Sequence, residues 1–242
     1  MLTLALAAFV AGFIDSIAGG GGLITIPVLL LSGMPPAVAL GTNKLQGLFG
    51  SGSAAIHYAR KGHLNLAKQL PLASLSFISA VCGAWVATRI SPDWLQRVMP
   101  FLLIAIALYF ALKPSLGDED KSARFTPAAF AATAIPLIAF YDGIFGPGTG
   151  SFFMIAFVVL AGYGVLKATA HTKFLNFASN LGGFCAFALA GVVDWRVGLV
   201  MGAAQVAGAR IGASLAIANG ARLIRPLLVI TCLVLAARLF TA

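Results

Sequence analysis

Asp15-Ser16-Ile17-Ala18-Gly19-Gly20-Gly21-Gly22 interrupts an apolar run that extends from Leu2 to Ser32, and Asp142-Gly143-Ile144-Phe145-Gly146-Pro147-Gly148-Thr149-Gly150 interrupts a second, from Pro127 to Ala161. Each run is longer than the roughly 20 residues that cross a bilayer once. In each, an aspartate precedes the first glycine of the break by four positions. Irregular backbone at membrane depth persists only where protein buries it or where it lines a wet cavity, because lipid satisfies no N–H or C=O group. Two such breaks at matching places in two halves of a chain are the sequence mark of a transporter's binding site.

The rest of the chain fits a membrane setting. Its 242 residues are 60% hydrophobic and 10% charged, with a mean hydropathy of +0.97, whereas soluble domains carry about 25% charged residues. A water-soluble fold is excluded. Apolar runs fall at Leu2–Ser32, Ala37–Tyr58, Leu70–Ile90, Trp94–Leu112, Pro127–Ala161, Val165–Ala190, Val197–Ala218 and Leu223–Leu239. These predict an all-α integral membrane protein of about eight transmembrane segments. The net charge of +9 comes from Lys and Arg scattered singly at segment ends, which reads as membrane-edge anchoring and not as a nucleic-acid face. Cys82, Cys185 and Cys232 are isolated in apolar stretches, so neither disulfide nor metal-site spacing is present. The start of the chain lacks the charged region and cleavage site of a signal peptide, and the first segment is expected to be retained.

The halves resemble each other. Phe13-Ile14-Asp15 falls on Phe140-Tyr141-Asp142 at a shift of 127, and Lys44 falls on Lys173 at a shift of 129. Gly62 to Leu66 then matches Gly191 to Trp195, and Cys82-Gly83-Ala84 matches Ile211-Gly212-Ala213. Four matches in order argue for a duplication. It predicts two homologous four-segment repeats, residues 1–112 and 127–242, joined by the polar linker 113–126, with the first segment of each repeat broken. Four plain crossings per half would make the repeats parallel, the arrangement slightly favoured. A break that folds its segment back would invert them.

The helix that resumes after each break presents free N–H groups and a positive dipole end, which is an anion site. Gly20, Gly21, Gly22, Gly148, Thr149 and Gly150 are its expected backbone contributors. A kink that merely lets helices approach is the competing reading. Lys44, with Thr42 and Asn43, and Lys173, with His171, Thr172 and Asn176, lie near the starts of apolar segments. Gly47 and Ser51 stack below Lys44, and Asn176 and Asn180 below Lys173, giving each helix a small or polar stripe for the interior. Charges within a span are expensive and functional by default, although a lysine near a helix end can snorkel. Asp15 and Asp142 have two open roles: proton carriers, or salt-bridge and capping groups that hold the broken helices. Arg210, with Gln205, is a weaker addition to the cavity, while Gly198, Gly202, Gly208 and Gly212 suit helix packing. No P-loop, H-E-x-x-H or nucleophile elbow occurs, so neither an enzyme nor a metal or other cofactor is expected.

At Asp15 to Gly22, Pro27 and Gly41-Thr42-Asn43-Lys44, and at Arg225-Pro226 near the end, the sequence resembles the sulfite exporter TauE/SafE family, also called the toluene-sulfonate uptake permease family. The resemblance implies a secondary transporter of the prokaryotic inner membrane that moves sulfur-containing anions such as sulfite or organosulfonates. The second repeat departs from the first at Gly146 to Gly150 and at Ala170-His171-Thr172-Lys173, which implies an unequal, pseudosymmetric site. The expected partners are a small anion and the lipid bilayer, with no nucleic acid; a homo-oligomer stays open. Two rival readings are an anion channel and a non-transporting membrane assembly subunit.

Overall fold

A computed structural model describes residues 1–91, 94, 101 and 119–220. The expected segments Trp94–Leu112 and Leu223–Leu239, the start of the linker and Arg225-Pro226 lie outside the described residues, apart from Trp94 and Phe101. The described chain is helical, in the order α1 (Leu2–Ala18), α2 (Gly22–Leu31), α3 (Pro36–Arg60), α4 (Leu66–Ala87), α5 (Pro127–Ala132), α6 (Ala134–Ile144), α7 (Thr149–Val159), α8 (Val165–Leu189) and α9 (Trp195–Asn219).

Local sequence accounts for where these helices start and stop. Asn65, Thr126 and Asp194 cap α4, α5 and α9 by accepting from the backbone N–H three residues on, which satisfies one of the free amides of a first turn. Pro136 removes the hydrogen bond that the Ala132 carbonyl would receive, and the helix steps at Thr133, dividing α5 from α6. Gly19 and Gly20 have φ of 80° and 89°, and Gly146 and Gly148 have φ of 91° and 79°. Side chains rarely adopt this left-handed region, so glycine is the residue that ends α1 and precedes α7.

Polar and charged residues lie buried among the hydrophobic clusters of the interior, and large apolar residues lie on the outside. Lys44, Lys173, Asp142, Gln46, Ser76 and Ser179 are buried, while Leu6, Ile78, Trp85, Leu137, Leu189 and Ile211 are exposed. That arrangement suits a lipid surround. Among the described residues three stretches are long and apolar enough to cross a membrane: Leu66–Ala87, Pro127–Ile144 and Trp195–Asn219. Helices α3 and α8 have 25 residues each, about 37 Å at 1.5 Å per residue, which also exceeds the ~30 Å hydrocarbon core. They are more polar because they pack against each other at the centre.

Both broken segments turn back. Met1 and Leu4 share a surface recess with Ser32, Gly33, Met34 and Pro35, and Leu4 and Met34 pack on the cluster that contains Ala8 and Leu29. The two ends of the α1–α2 unit therefore lie on one face. In the second half, the N–H of Lys121 donates to the Gly162 carbonyl at 2.7 Å, and those of Arg124 and Phe125 donate to Leu160 at 2.9 and 3.0 Å. Phe130 meets Phe157 with ring centroids 5.0 Å apart. This hairpin also closes on itself.

The hairpins open on opposite faces. On the first face, Asp194 N–H donates to Thr42 Oγ1 at 2.9 Å, and Gly41 lies against the Val192 carbonyl, so α3 begins where α8 ends. On the second, Gln69 Nε2 donates to the His171 carbonyl at 3.0 Å, so α4 begins where α8 begins. Helices α3 and α8, related by the internal match, run in opposite directions. The related elements are inverted, against the slight expectation of a parallel arrangement; periodicity cannot reveal whether a helix resumes forward or backward after a glycine break.

Packing crosses between the halves. Helix α1 lies along α9, and α6 along α4. At the second crossing a Cβ on Gly83 would strike the Phe140 carbonyl, and Gly143 lies against Ala80 and Ala84. At the first, Gly212 meets the Phe13 carbonyl and Ser16, and Gly208 the Phe9 carbonyl. Gly198 and Gly202 receive the side chains of Leu45 and Phe49 of α3.

Candidate functional site

The two glycine breaks meet. Gly19 packs against Gly150 and Ser151, and Gly22 against Pro147. Ser151 Oγ donates to the Ala18 carbonyl at 2.9 Å, so the start of α7 satisfies a carbonyl at the end of α1. Tyr58 and Tyr141 hold the breaks from outside, donating to the Ser16 carbonyl at 2.9 Å and the Pro147 carbonyl at 2.7 Å.

Around this meeting point the lysines and aspartates pair across the halves. Lys44 Nζ of α3 lies 2.7 Å from Asp142 Oδ1 of α6, both almost completely buried. Lys173 Nζ of α8 lies 3.4 Å from Asp15 Oδ2 of α1 and also donates to the Asp15 carbonyl. The Lys44 stem passes over Gly183 of α8, where any side chain would crowd it. In low dielectric an unpaired charge is costly, and each pair neutralises its own charge.

The pairs are unequal. Asp15 Oδ1 accepts from the Gly21 N–H at 3.1 Å, which ties it to the start of α2. Asp142 uses Oδ1 for Lys44, and its buried Oδ2 has no hydrogen-bond partner.

A small cavity of about 30 Å³ lies between the breaks. It is lined by Asp15, Gly20, Gly21, Gly22, Asn43 and Gly47 from the first half and by Asp142, Gly146, Gly148, Thr149, Gly150, Asn176, Asn180 and Gln205 from the second. Of the sequence-derived residues, the structure brings together the six from the breaks, Asn43, Asn176 and both aspartates. Lys44 and Lys173 stand behind their carboxylates and do not line the cavity. Thr42 instead holds Asp194, and Thr172 is buried with its hydroxyl unpartnered. The His171 ring sits between Tyr163 and Phe157, at 5.1 and 5.6 Å. Arg210 is exposed. Gly47, Gly146, Asn180 and Gln205 join the lining; the stripe of Gly47 and Asn180 carried a signal, and of the pair Arg210 and Gln205 the structure brings Gln205 to the cavity, where it packs on Gly12 and Gly50.

At the mouth of the second hairpin, Asp120 accepts from Lys167 Nζ and from the Gly164 N–H, both at 2.6 Å. The hydrogen bond from Lys167 and that from the Gly164 backbone hold this carboxyl below the usual carboxylate range. Lys167 also lies over the Tyr163 ring, 4.2 Å from its centroid.

The family model described as sulfite exporter TauE/SafE matches residues 4–239. The chain belongs to that family. Its relatives include the probable membrane transporter protein ORF9 of Sinorhizobium sp., 63% identical over 98% of this chain and 90% of the relative. The probable membrane transporter protein YfcA of Escherichia coli K12 is 47% identical over 96% and 86%. A more distant member of the comparison, YdhB of Bacillus subtilis, also named a probable membrane transporter, is 25% identical over 88% and 87%. No solved structure matches the chain significantly. Family membership and these relatives agree with the apolar exterior: this is a helical membrane transporter of the TauE/SafE family.

Proposed function

We propose that the chain is a secondary transporter, in the exporting sense of the family description, that carries small sulfur-containing anions such as sulfite or organosulfonates across a prokaryotic inner membrane. The observation that carries this reading is the meeting of two glycine breaks from inverted elements around one buried polar cavity. The first turns of α2 and α7 bring amides to that cavity, and Gly22 and Gly150 have no intrahelical acceptor there. Helix N-termini and neutral amides then attract the anion, while the two lysines act through the carboxylates they neutralise. Movement of the mixed packing units, with α1 and α9 on one side and α4 and α6 on the other, would expose the cavity to each face in turn.

Each half would supply a re-entrant hairpin in place of a plain first crossing, which accounts for the opposite directions of α3 and α8. Proton coupling enters through an aspartate, and Asp142, with its unshared oxygen, is the better placed.

Reconstituted vesicles test the reading. Sulfite efflux should saturate with concentration, and an imposed proton gradient should drive sulfite against its own gradient. Fast flux that never runs uphill would replace the carrier by an anion channel; no flux of any sulfur oxyanion, in folded protein, would leave the assembly-subunit reading.

A further inference from the structure

The cavity wall offers both hydrogen-bond donors and hydrogen-bond acceptors. Asn180 Nδ2 donates to the Asn176 carbonyl at 2.7 Å and to Asn176 Oδ1 at 3.1 Å. A backbone carbonyl can only accept, so this bond orients Asn180, and Asn180 in turn orients Asn176. The Asn176 Nδ2 is thereby turned toward Gly150 at the first turn of α7. At Asn43, Oδ1 accepts from Gln46 Nε2 at 2.8 Å and lies 2.6 Å from Thr25 Oγ1, whose single proton is shared with the Gly21 carbonyl at 3.1 Å, and Nδ2 lies beside Gly22. Two of the other lining residues, Asp142 and Gln205, each carry a buried acceptor without a partner, Oδ2 and Oε1 respectively. All four residues are more than nine-tenths buried.

A bare dianion fits this wall poorly. It would meet the carboxylates of Asp15 and Asp142, with the ammonium groups behind them, and would leave both free acceptors unmatched. A proton on the ligand converts one repulsive contact into a charge-assisted hydrogen bond. Size agrees, since about 30 Å³ has room for two or three waters, which suits a compact anion.

We propose that the cavity takes its anion as a monoprotonated oxyanion of the hydrogen sulfite type, with Asp142 Oδ2 accepting the ligand's O–H and the Asn43 and Asn176 amides donating to its bare oxygens. The inference rests on the transporter reading and narrows its substrate class.

Binding to the purified full-length chain tests it, by calorimetry with sulfite at pH values on either side of its second ionisation and with methanesulfonate, a monoanion without an O–H, in parallel. Apparent sulfite affinity should fall about tenfold per pH unit once the dianion dominates. Methanesulfonate should bind at least about tenfold more weakly than hydrogen sulfite, a difference of ~1.4 kcal/mol, and independently of pH. Sulfite affinity that is constant across its ionisation would overturn the inference and leave the transporter reading in place, as would a parallel fall for methanesulfonate, which would assign the titration to the protein. No binding of any sulfur oxyanion would overturn both. In the charge-neutral double variant Lys44→Met with Asp142→Leu, the preference for hydrogen sulfite over methanesulfonate should vanish; its survival in the folded variant would also overturn the assignment. Where that variant does not fold, the wild-type comparison decides alone.

Discussion

Lys44 shows how burial changes what a substitution measures. Replacing it by Met leaves Asp142 buried without its cation, and breaking a buried pair in this way costs about 3–5 kcal/mol. Lys44→Met should therefore lower the melting temperature sharply, and adding Asp142→Leu should restore most of the loss; a single variant as stable as the parent would show that the pair contributes nothing. Loss of transport in Lys44→Met alone thus says little about substrate contact. The exposed pair at the second hairpin behaves differently. Asp120 has a lowered pKa, so its contribution is full above its unfolded value near 3.9 and disappears as pH falls through the lower folded value. With both partners substantially exposed, Asp120→Asn should cost at most about 1 kcal/mol at neutral pH, a difference that closes on acidification in a thermal-melt series.

Helix crossings carry a second kind of constraint. Gly83 of α4 and Gly212 of α9 occupy matching places against the carbonyls of Phe140 and Phe13. Val at either position should destabilise by about 1–3 kcal/mol or prevent folding, while Ala203→Val on the exposed side of α9 should stay within about 0.5 kcal/mol. Equal melting temperatures for all three would remove the close-packing account. The elements differ in how much of this was legible beforehand. Glycine breaks, the internal match and the polar stripes of α3 and α8 are written in local composition, and the structure places residues of both breaks, the two matched aspartates and Gly47, Asn176 and Asn180 of the stripes at one cavity. The return of each broken segment is not local, because a left-handed glycine turn permits either direction and only contacts such as Lys121 with Gly162 decide it. The ion pairing was hidden for a similar reason: Lys44 and Asp142 are separated by most of one repeat, and spacing along a single helix cannot bring them together.

For the whole molecule, inversion redistributes the surface charge. Arg60, Lys61, Lys68, Lys121, Arg124 and Lys167 fall on the face where α3 ends and the second hairpin opens, against Arg89 and Arg196 on the face of Met1, six to two among the described residues at helix ends and in loops, with the exposed Arg210 set within α9. Cytoplasmic loops are the richer in Lys and Arg, so the Met1 face should lie outside. In a variant stripped of its native cysteines, Ser32→Cys should react with an impermeant maleimide in intact cells and Ser122→Cys only after lysis; the reverse pattern would invert the orientation. The exchange of ion pairs between halves bears on how the protein is made. Ribosomes deliver Lys44 to the membrane long before Asp142 has been synthesised, and Asp15 must likewise wait for Lys173. The nascent first half thus holds two buried charges whose native partners do not yet exist, and a fragment ending at the linker should be less stable in the membrane than the same fragment co-expressed with the other half.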